Sequence, residues 1–494
     1  MLKSKIIRYL LIALIFFLFF SIAVIAIIIT RGGQLTDDGL VLDTGVIRIQ
    51  TDPSAIKGHY ILNNKEVQVA ADGRINGLLE GVYNLKIESE GYASWEKDVR
   101  VTSGIVVDVF AKLYPSKFVM EQLTTSNIDR AFFSANGEFV YYVVKDSEFG
   151  SDKGIWRQRL IANQFLFGTS PSTPVKIADI SDQLNSAISS GSYSILPSPD
   201  NTRALFIDAK GNKTYLLNTA SFNESPLADL NETFGFVPEQ LFWFNGSNSL
   251  VVKDHTLLFE HNLTSGIDTV IKYSQKENLV FSATNSTVFV YDAGTKLLFK
   301  YTNQKLEQVK LVNIILPDKI TELHSPLNNS RFLILKSGEK YSYLDLDKSL
   351  LKEIGSGLTF GEFAQDGRSA LFTQDSKVFS YTVKEVVATN SVETKLNDLK
   401  LTLATANDTV HFVPQSTHVL YYANGDVHTV TVMDKDGTNL LTLLDNPGIK
   451  NSDFSFNSDA TRFIVLLKDE IDQQNQATPS RANLYAIDLE KPQQ

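Results

Sequence analysis

The sequence predicts an all-β chain apart from one N-terminal transmembrane helix: a small β-sandwich followed by a seven- or eight-bladed β-propeller. Three observations predict it. One uncharged apolar run, residues 9–29, stands alone near the start. Short stretches that alternate apolar and polar residues follow it, in a chain of 494 residues holding 31 Phe and 18 Tyr, which is strand-prone composition. From about residue 118 a unit of turn plus apolar strand recurs, in seven clear copies and one weak one.

The apolar run contains no charge, no Gly and no Pro. At about 1.5 Å per residue it reaches roughly 32 Å, the thickness of a hydrocarbon core. A cleaved signal peptide has a shorter apolar stretch and a small-x-small site. Here the run ends in Ile27-Ile28-Ile29-Thr30-Arg31, and Ala23 and Ala26 are spaced wrongly for such a site. The reading is therefore an uncleaved, single-pass signal-anchor in a membrane. Lys3, Lys5 and Arg8 precede it, and Asp37, Asp38 and Asp43 follow. The positive-inside rule then puts residues 1–8 in the cytoplasm and everything after the helix on the extracytoplasmic side.

Charge and cysteine usage narrow the partners. The chain has no cysteine, which removes disulfides, thiolate metal sites and cysteine nucleophiles together and fits a prokaryotic cell envelope. All 56 acidic residues lie beyond the apolar run, and no dense basic patch interrupts them. Nucleic-acid binding needs concentrated Lys and Arg against phosphates, so no nucleic-acid partner is expected.

Residues 30–44 read as a polar linker. Residues 45–115 then change texture. Val46-Ile47-Arg48-Ile49-Gln50-Thr51 alternates as a half-buried strand does, and Asp52-Pro53 breaks it. Tyr60-Ile61-Leu62 is a second strand, Asn63-Asn64 a tight turn, and residues 65–69 a third strand. After Gly73 and Gly77 come the alternating residues 82–88, the turn Gly91-Tyr92, a strand at 95–101 and a last one at 105–113. This is a sandwich of about 70 residues.

The same segment resembles the PEGA domain. The resemblance is carried by Gly45-Val-Ile-Arg-Ile before Pro53-Ser54-Ala55, by Gly81-Val-Tyr-Asn-Leu-Lys-Ile and by Glu90-Gly91-Tyr92. The Glu-Gly pair of the family signature is replaced here. The resemblance implies an extracytoplasmic spacer or binding module without catalysis.

Residues 118–490 hold the repeats. Phe133-Ser134-Ala135-Asn136-Gly137 precedes Phe139-Val-Tyr-Tyr, and Pro197-Ser198-Pro199-Asp200 precedes Ala204-Leu-Phe. Equivalent turns stand at Phe244-Asn245-Gly246, Ser325-Pro326, Phe363-Ala364-Gln365-Asp366-Gly367, Val413-Pro414-Gln415-Ser416 and Phe456-Asn457-Ser458-Asp459; the weak copy is Ser282-Ala283-Thr284-Asn285. Aromatic-bearing strands follow most copies, and residues 168–194 read as an insertion. A spacing of about 40–50 residues suits four-stranded blades that bury their faces only against neighbours, with ring closure protecting the edges. Residues 118–124 are placed to complete the blade that ends at residues 483–489. The units resemble TolB-like, WD40-like propeller repeats, closest at Met433-Asp434-Lys435-Asp436-Gly437-Thr438-Asn439-Leu440 followed by Phe454-Ser-Phe-Asn-Ser-Asp459.

No residue is assigned to catalysis, to a cofactor or to a metal. Asp434, Asp436 and Asn439 alternate like calcium ligands, but an EF-hand needs more ligands and a distant Glu, and Asp436-Gly437 makes a type I′ hairpin turn. Asp200, Asp366 and Asp459 recur at equivalent positions, which argues for turn formation. The seven His residues show no ligand spacing, and no G-x-S-x-G is present. The expected function is a membrane-anchored, non-enzymatic scaffold of the cell envelope whose propeller binds a protein or a glycan. The alternative is a propeller hydrolase or lyase with acids or His converging on the central funnel from different blades.

Overall fold

The structure, a computed structural model, describes residues 14–23, 33–35, 41–54, 57–145, 153–160, 163–165, 168–170, 172–274, 279–386, 391–405, 408–414, 418–424, 428–445, 454–468 and 482–492. The expectation of a membrane-spanning helix is corrected. The described N-terminal helix covers residues 14–23, about 15 Å of rise, which is half of a hydrocarbon core. Among the described residues no helix is long and apolar enough to cross a membrane. The rest of the run, 9–13 and 24–29, lies outside the described residues, as does Ala55.

The chain divides into two compact units: Met1–Val119 with Glu490–Gln494, and Met120–Leu489. In the first unit two sheets face one another. One has the order Arg74–Leu78, Gly45–Asp52, Val106–Lys112, the last two parallel. The other has the order Lys65–Val67, Gly58–Leu62, Gly81–Ser89, Trp95–Val101. Ile47, Ile49 and Val109 of the first sheet meet Leu85, Ile87, Trp95 and Val99 of the second in one buried core. The strand Arg74–Leu78 escapes the sequence pattern because Gly77, at a φ of 75°, interrupts its alternation.

Among the described residues the second unit contains eight blade sheets and a two-stranded hairpin, Asn163–Phe165 with Gly168–Ser170. Blade 1 is Ile128–Phe133, Phe139–Val144, Gly154–Arg159 and Val175–Ala178. Blade 2 has three strands, Tyr193–Pro197, Arg203–Asp208 and Lys213–Asn218. Blade 3 is Gln240–Phe244, Ser249–Asp254, Leu257–Asn262 and Asp268–Tyr273; blade 4 is Leu279–Ala283, Val288–Asp292, Leu297–Thr302 and Lys305–Gln308. Blade 5 is Glu322–His324, Phe332–Ser337, Lys340–Asp345 and Leu350–Ser356; blade 6 is Thr359–Phe363, Ser369–Gln374, Lys377–Val386 and Ser391–Thr402. Blade 7 is Thr409–Phe412, His418–Asn424, His428–Asp434 and Leu441–Asp445. Blade 8 takes Phe454–Phe456, Arg462–Lys468 and Ala482–Asp488 from the end of the unit and Met120–Gln122 from its beginning. The weak sequence copy thus forms a full blade. The segment read as an insertion after blade 1 supplies that blade's fourth strand and a helix, Asp182–Ser190, that packs Leu184, Ala187 and Ile188 into the core between blades 1 and 2.

Second strands are the most apolar, and they are buried on both sides by their neighbours. Each buried cluster joins two consecutive blades: Tyr141 with Phe206, Leu205 with Leu250, Val251 with Val290, Phe289 with Leu333, Tyr343 with Phe372, and Leu371 with Val419. Blades 7 and 8 meet at His411 and Phe454, whose rings lie 6.4 Å apart. The circle closes where Val140 and Tyr142 of blade 1 pack with Ile464 and Leu484 of blade 8. Met120 pairs with Ile487 and Gln122 with Tyr485, so the two ends of the unit share one sheet. An eight-bladed propeller is the result. Sharing a sheet between chain ends leaves no open edge at the join.

Candidate functional site

The recurring turn residues occupy the link between first and second strands, and they act alike. Asn136 Oδ1 accepts from Glu138 N at 3.1 Å, Asp200 from Thr202 N at 3.0 Å, Asp366 from Arg368 N at 2.9 Å and Asp459 from Thr461 N at 3.4 Å. Each is an Asx turn, the side chain standing in for a backbone acceptor two residues back. Asn329 does the same for Arg331 N at 2.8 Å in blade 5.

These turns also hold one another. Asn201 Nδ2 of blade 2 donates to Asn136 of blade 1 at 3.2 Å, and the Ser247 hydroxyl of blade 3 donates to Asp200 of blade 2. Asn245 N donates to Asn285 O at 2.8 Å, Asn285 Nδ2 to Asn328 Oδ1 at 2.6 Å, and Asn329 Nδ2 to Asp366 O at 3.1 Å. A Cβ on Gly137 would lie 2.6 Å from Phe456 O of blade 8, so glycine permits the closest approach at the join. Gly367 sits in the blade 6 turn at φ 70°. The result is a collar of turns on one face of the ring.

Asp436-Gly437 lies elsewhere in its blade, between third and fourth strands. The type I′ expectation is corrected. Only Gly437 takes positive φ, at 84°; Gly437 N donates to Asp434 O at 2.8 Å and Asp434 N to Thr438 O at 2.9 Å. That is a three-residue loop with a left-handed glycine closing it. Thr438 Oγ1 donates to Asp436 at 2.7 Å and Asn439 Nδ2 to Asp434 at 3.0 Å, so these acids hold the turn.

First strands of neighbouring blades lie side by side and face the axis. They carry groups that the sequence analysis left as ordinary strand residues. In blade 5, His324 Nε2 is 3.1 Å from Glu322, and its ring stacks on Phe360 of blade 6 with centroids 4.0 Å apart. Burial pushes the Glu322 carboxyl up, but donors from Lys336, Tyr341 and His324 outweigh it and hold the group at about 2. Burial pulls His324 below the usual imidazole value against the attraction of Glu322. Glu362 of blade 6 meets His411 Nδ1 of blade 7 at 3.0 Å and accepts from Phe412 N at 2.5 Å. The neighbouring sector is apolar: Phe242 and Phe281 of blades 3 and 4 pack edge to face at 5.3 Å.

A groove of about 430 Å³ opens between blades 4 and 5 on the collar face. Lys300 and Gln308 form one wall; Asn328, Asn329, Arg331 and Asp347, from two turns of blade 5, form the other. Arg331 is fixed. It makes two bonds to buried Asp345, at 2.8 and 2.6 Å, and one to Glu385 of blade 6 at 2.6 Å. Asp345 bonds first, and then Glu385, keep the guanidinium charged beyond its ordinary range. Groove and channel pairs unite residues far apart in sequence. Their one sequence signal is position: Glu362, His324 and His411 all fall in the last residues before a repeat turn.

In the sandwich, Pro53 and Ser54 follow the strand Gly45–Asp52. Gly81 opens the strand Gly81–Ser89 with no positive φ and with room for a side chain. The turn that leads into it falls at 79–80. Gly91 has φ 81°, and Tyr92 forms an isolated bridge with Pro115.

No protein-family model matches the chain, and no curated protein matches it. Among solved structures, the WD40 domain of SCAP from fission yeast is similar at 10% identity and a TM-score of 0.42, covering 76% of this chain and 99% of that one. Hsv2 from Kluyveromyces lactis is similar at 10% identity and 0.40, covering 65% and 99%. The β-propeller domain of Cps50 (Swd1) from Myceliophteria thermophila is similar at 10% identity and 0.38, covering 75% and 99%. The propeller assignment rests on the strand pairing and interblade cores above, and such likeness carries nothing about ligand or activity.

Proposed function

We propose that this protein is a non-catalytic scaffold whose propeller binds a protein partner on its collar face. The observation that carries the reading is the groove between blades 4 and 5. Its blade 5 wall is rigid, because Asn328, Asn329 and Arg331 are each bonded to a neighbouring blade or strand. Amides and charges of both signs suit the donors and acceptors of a peptide, and a preorganised wall reduces the ordering cost of binding. The lining has no aromatic ring on which a sugar face would stack. The resemblances to PEGA and to TolB-like repeats belong to this proposal, as does an extracytoplasmic location, which the PEGA resemblance implies. Protease shaving of intact cells checks the location.

The binding reading is tested by affinity capture with the wild type and with Lys300→Glu/Asn328→Ala, followed by titration of the purified partner. A partner held by the wild type and lost by the variant supports it. Equal binding by both overturns the groove as the site.

A second reading, hydrolysis or elimination in the channel, has one observation in its favour: Glu322, His324, Glu362 and His411 converge there from three blades. Their bonding weighs against it. Glu322 is saturated by three donors and Glu362 is shared with a backbone amide, so neither is poised to exchange a proton. Turnover of an ester, peptide or glycoside panel that disappears in Glu362→Gln would favour this reading.

A further inference from the structure

We infer that the turn at residues 91–93 is a strap that keeps the propeller ring closed and ties that closure to the small sandwich. The chain passes between the two units twice, at 119/120 and at 489/490. Both passages stand next to the strands of the closing sheet, Met120–Gln122 and Ala482–Asp488.

The turn grips both lengths of chain. On the outgoing side, Ala93 N donates to Tyr114 O at 2.9 Å and Ser116 N to Gly91 O at 2.9 Å. The Ser116 hydroxyl adds a bond to the same carbonyl at 3.1 Å. On the returning side, the Tyr92 hydroxyl donates to Glu490 O at 2.9 Å. Pro492 lies against Gly91, so close that a Cβ there would be 2.8 Å from the proline ring. The glycine of the Glu90-Gly91-Tyr92 signature therefore supplies both a left-handed φ and the space for the returning chain.

The closing sheet needs such help. Its join is three paired residues on each side, with further bonds from Leu123 N to Leu484 O at 2.8 Å and from Leu484 N to Thr124 Oγ1 at 2.9 Å. The partners are 360 residues apart in sequence. Once the join frays, a free chain of that length re-forms it slowly, because closure entropy grows with loop length. The strap holds the outgoing chain four residues before Met120 and the returning chain one residue after Leu489. Rejoining then becomes a local event at high effective concentration.

The test is hydrogen exchange on the full chain, comparing the wild type with Tyr92→Phe and with a chain ending at Leu489. The expected result is exchange about tenfold faster in the closing strands of the shortened chain, a smaller acceleration in Tyr92→Phe, and no change at Leu333 to Leu335 of blade 5. Tyr83→Phe removes another sandwich hydroxyl bond, to Leu79 O, and should leave the closing strands as in the wild type. Unchanged exchange at the join in both variants overturns the inference. So does equal acceleration in every blade, which would make the tail a general stabiliser of the ring.

Discussion

The seam between blades 5 and 6 and the seam between blades 8 and 1 solve one packing problem with different means. The first buries large rings, Tyr341, Tyr343, Phe332, Phe372 and Tyr381, and adds the Arg331–Asp345–Glu385 network. The long third and fourth strands of blade 6 lay Val383 and Val392 into the same core, and Lys352 Nζ donates to Val392 O at 2.7 Å. The second seam buries one ring, Tyr142, among small and aliphatic residues that include Ala131, Ala482, Ala486, Val140 and Leu484, with backbones drawn together at Gly137. The difference is in what is added to a buried core: an ion-pair network at the first seam, a close backbone approach at the second. Consecutive blades are linked by a crossover, so their seam can be built from side chains alone. Blade 8 is linked to blade 1 in the same way, since its outer strand Met120–Gln122 runs on into Ile128–Phe133; the chain ends meet inside blade 8, where strand pairing joins them.

The comparison breaks most visibly at the join. Deleting residues 483–494 removes a strand of the closing sheet and exposes apolar edges on both sides. The whole ring is expected to unfold or aggregate, read by loss of the monomer peak and of the melting transition. A monomer with a near-unchanged transition would show that the seam between blades 8 and 1 is dispensable. The second prediction sharpens the contrast at the other seam. Arg331→Ala leaves Asp345, 1% exposed, with only backbone donors, and should cost about 3 kcal/mol by chemical denaturation. An effect near zero would mean that the aromatic core carries this seam without its ion pairs.

The smallest effect is on pH. Glu322 is held at about 2 in the folded chain and titrates near 4.3 when unfolded, so its stabilisation is full above about pH 5 and is lost as pH falls towards 2. His324 is also depressed, and so adds stability that is present above its unfolded value of about 6.5 and is lost as pH falls below that through its lower folded value. Both slopes have the same sign. Melting measured from pH 7 to pH 4 should fall, and Glu322→Gln should flatten the lower part of that fall. An unchanged slope in the variant would place the acid sensitivity elsewhere.

The array was legible because two physical demands repeat in every blade. The link between first and second strands needs a residue that can replace a backbone acceptor, hence Asn136, Asp200, Asp366 and Asp459. The second strand is covered on both faces, hence runs such as Phe332-Leu-Ile-Leu. The missing fourth strand of blade 2 left no such mark, since the segment with the short helix Leu230–Phe234 bridges to Tyr215 through Asp229 instead. The channel pairs and the groove were hidden for another reason: Glu362 and His411 are 49 residues apart, and only blade curvature brings them together. The apolar run misled because composition alone was read as a span, whereas among the described residues no helix is long and apolar enough to cross a membrane.

The collar carries a consequence for how the repeats have diverged. The seams use a few kinds of lock: amide to amide between blades 1 and 2 and again between 4 and 5, hydroxyl to carboxylate between 2 and 3, backbone to backbone between 3 and 4. The side-chain locks match particular neighbours: exchanging blades 2 and 4 would separate Ser247 from Asp200 and Asn201 from Asn136, whereas renumbering the chain from a new starting blade would preserve both.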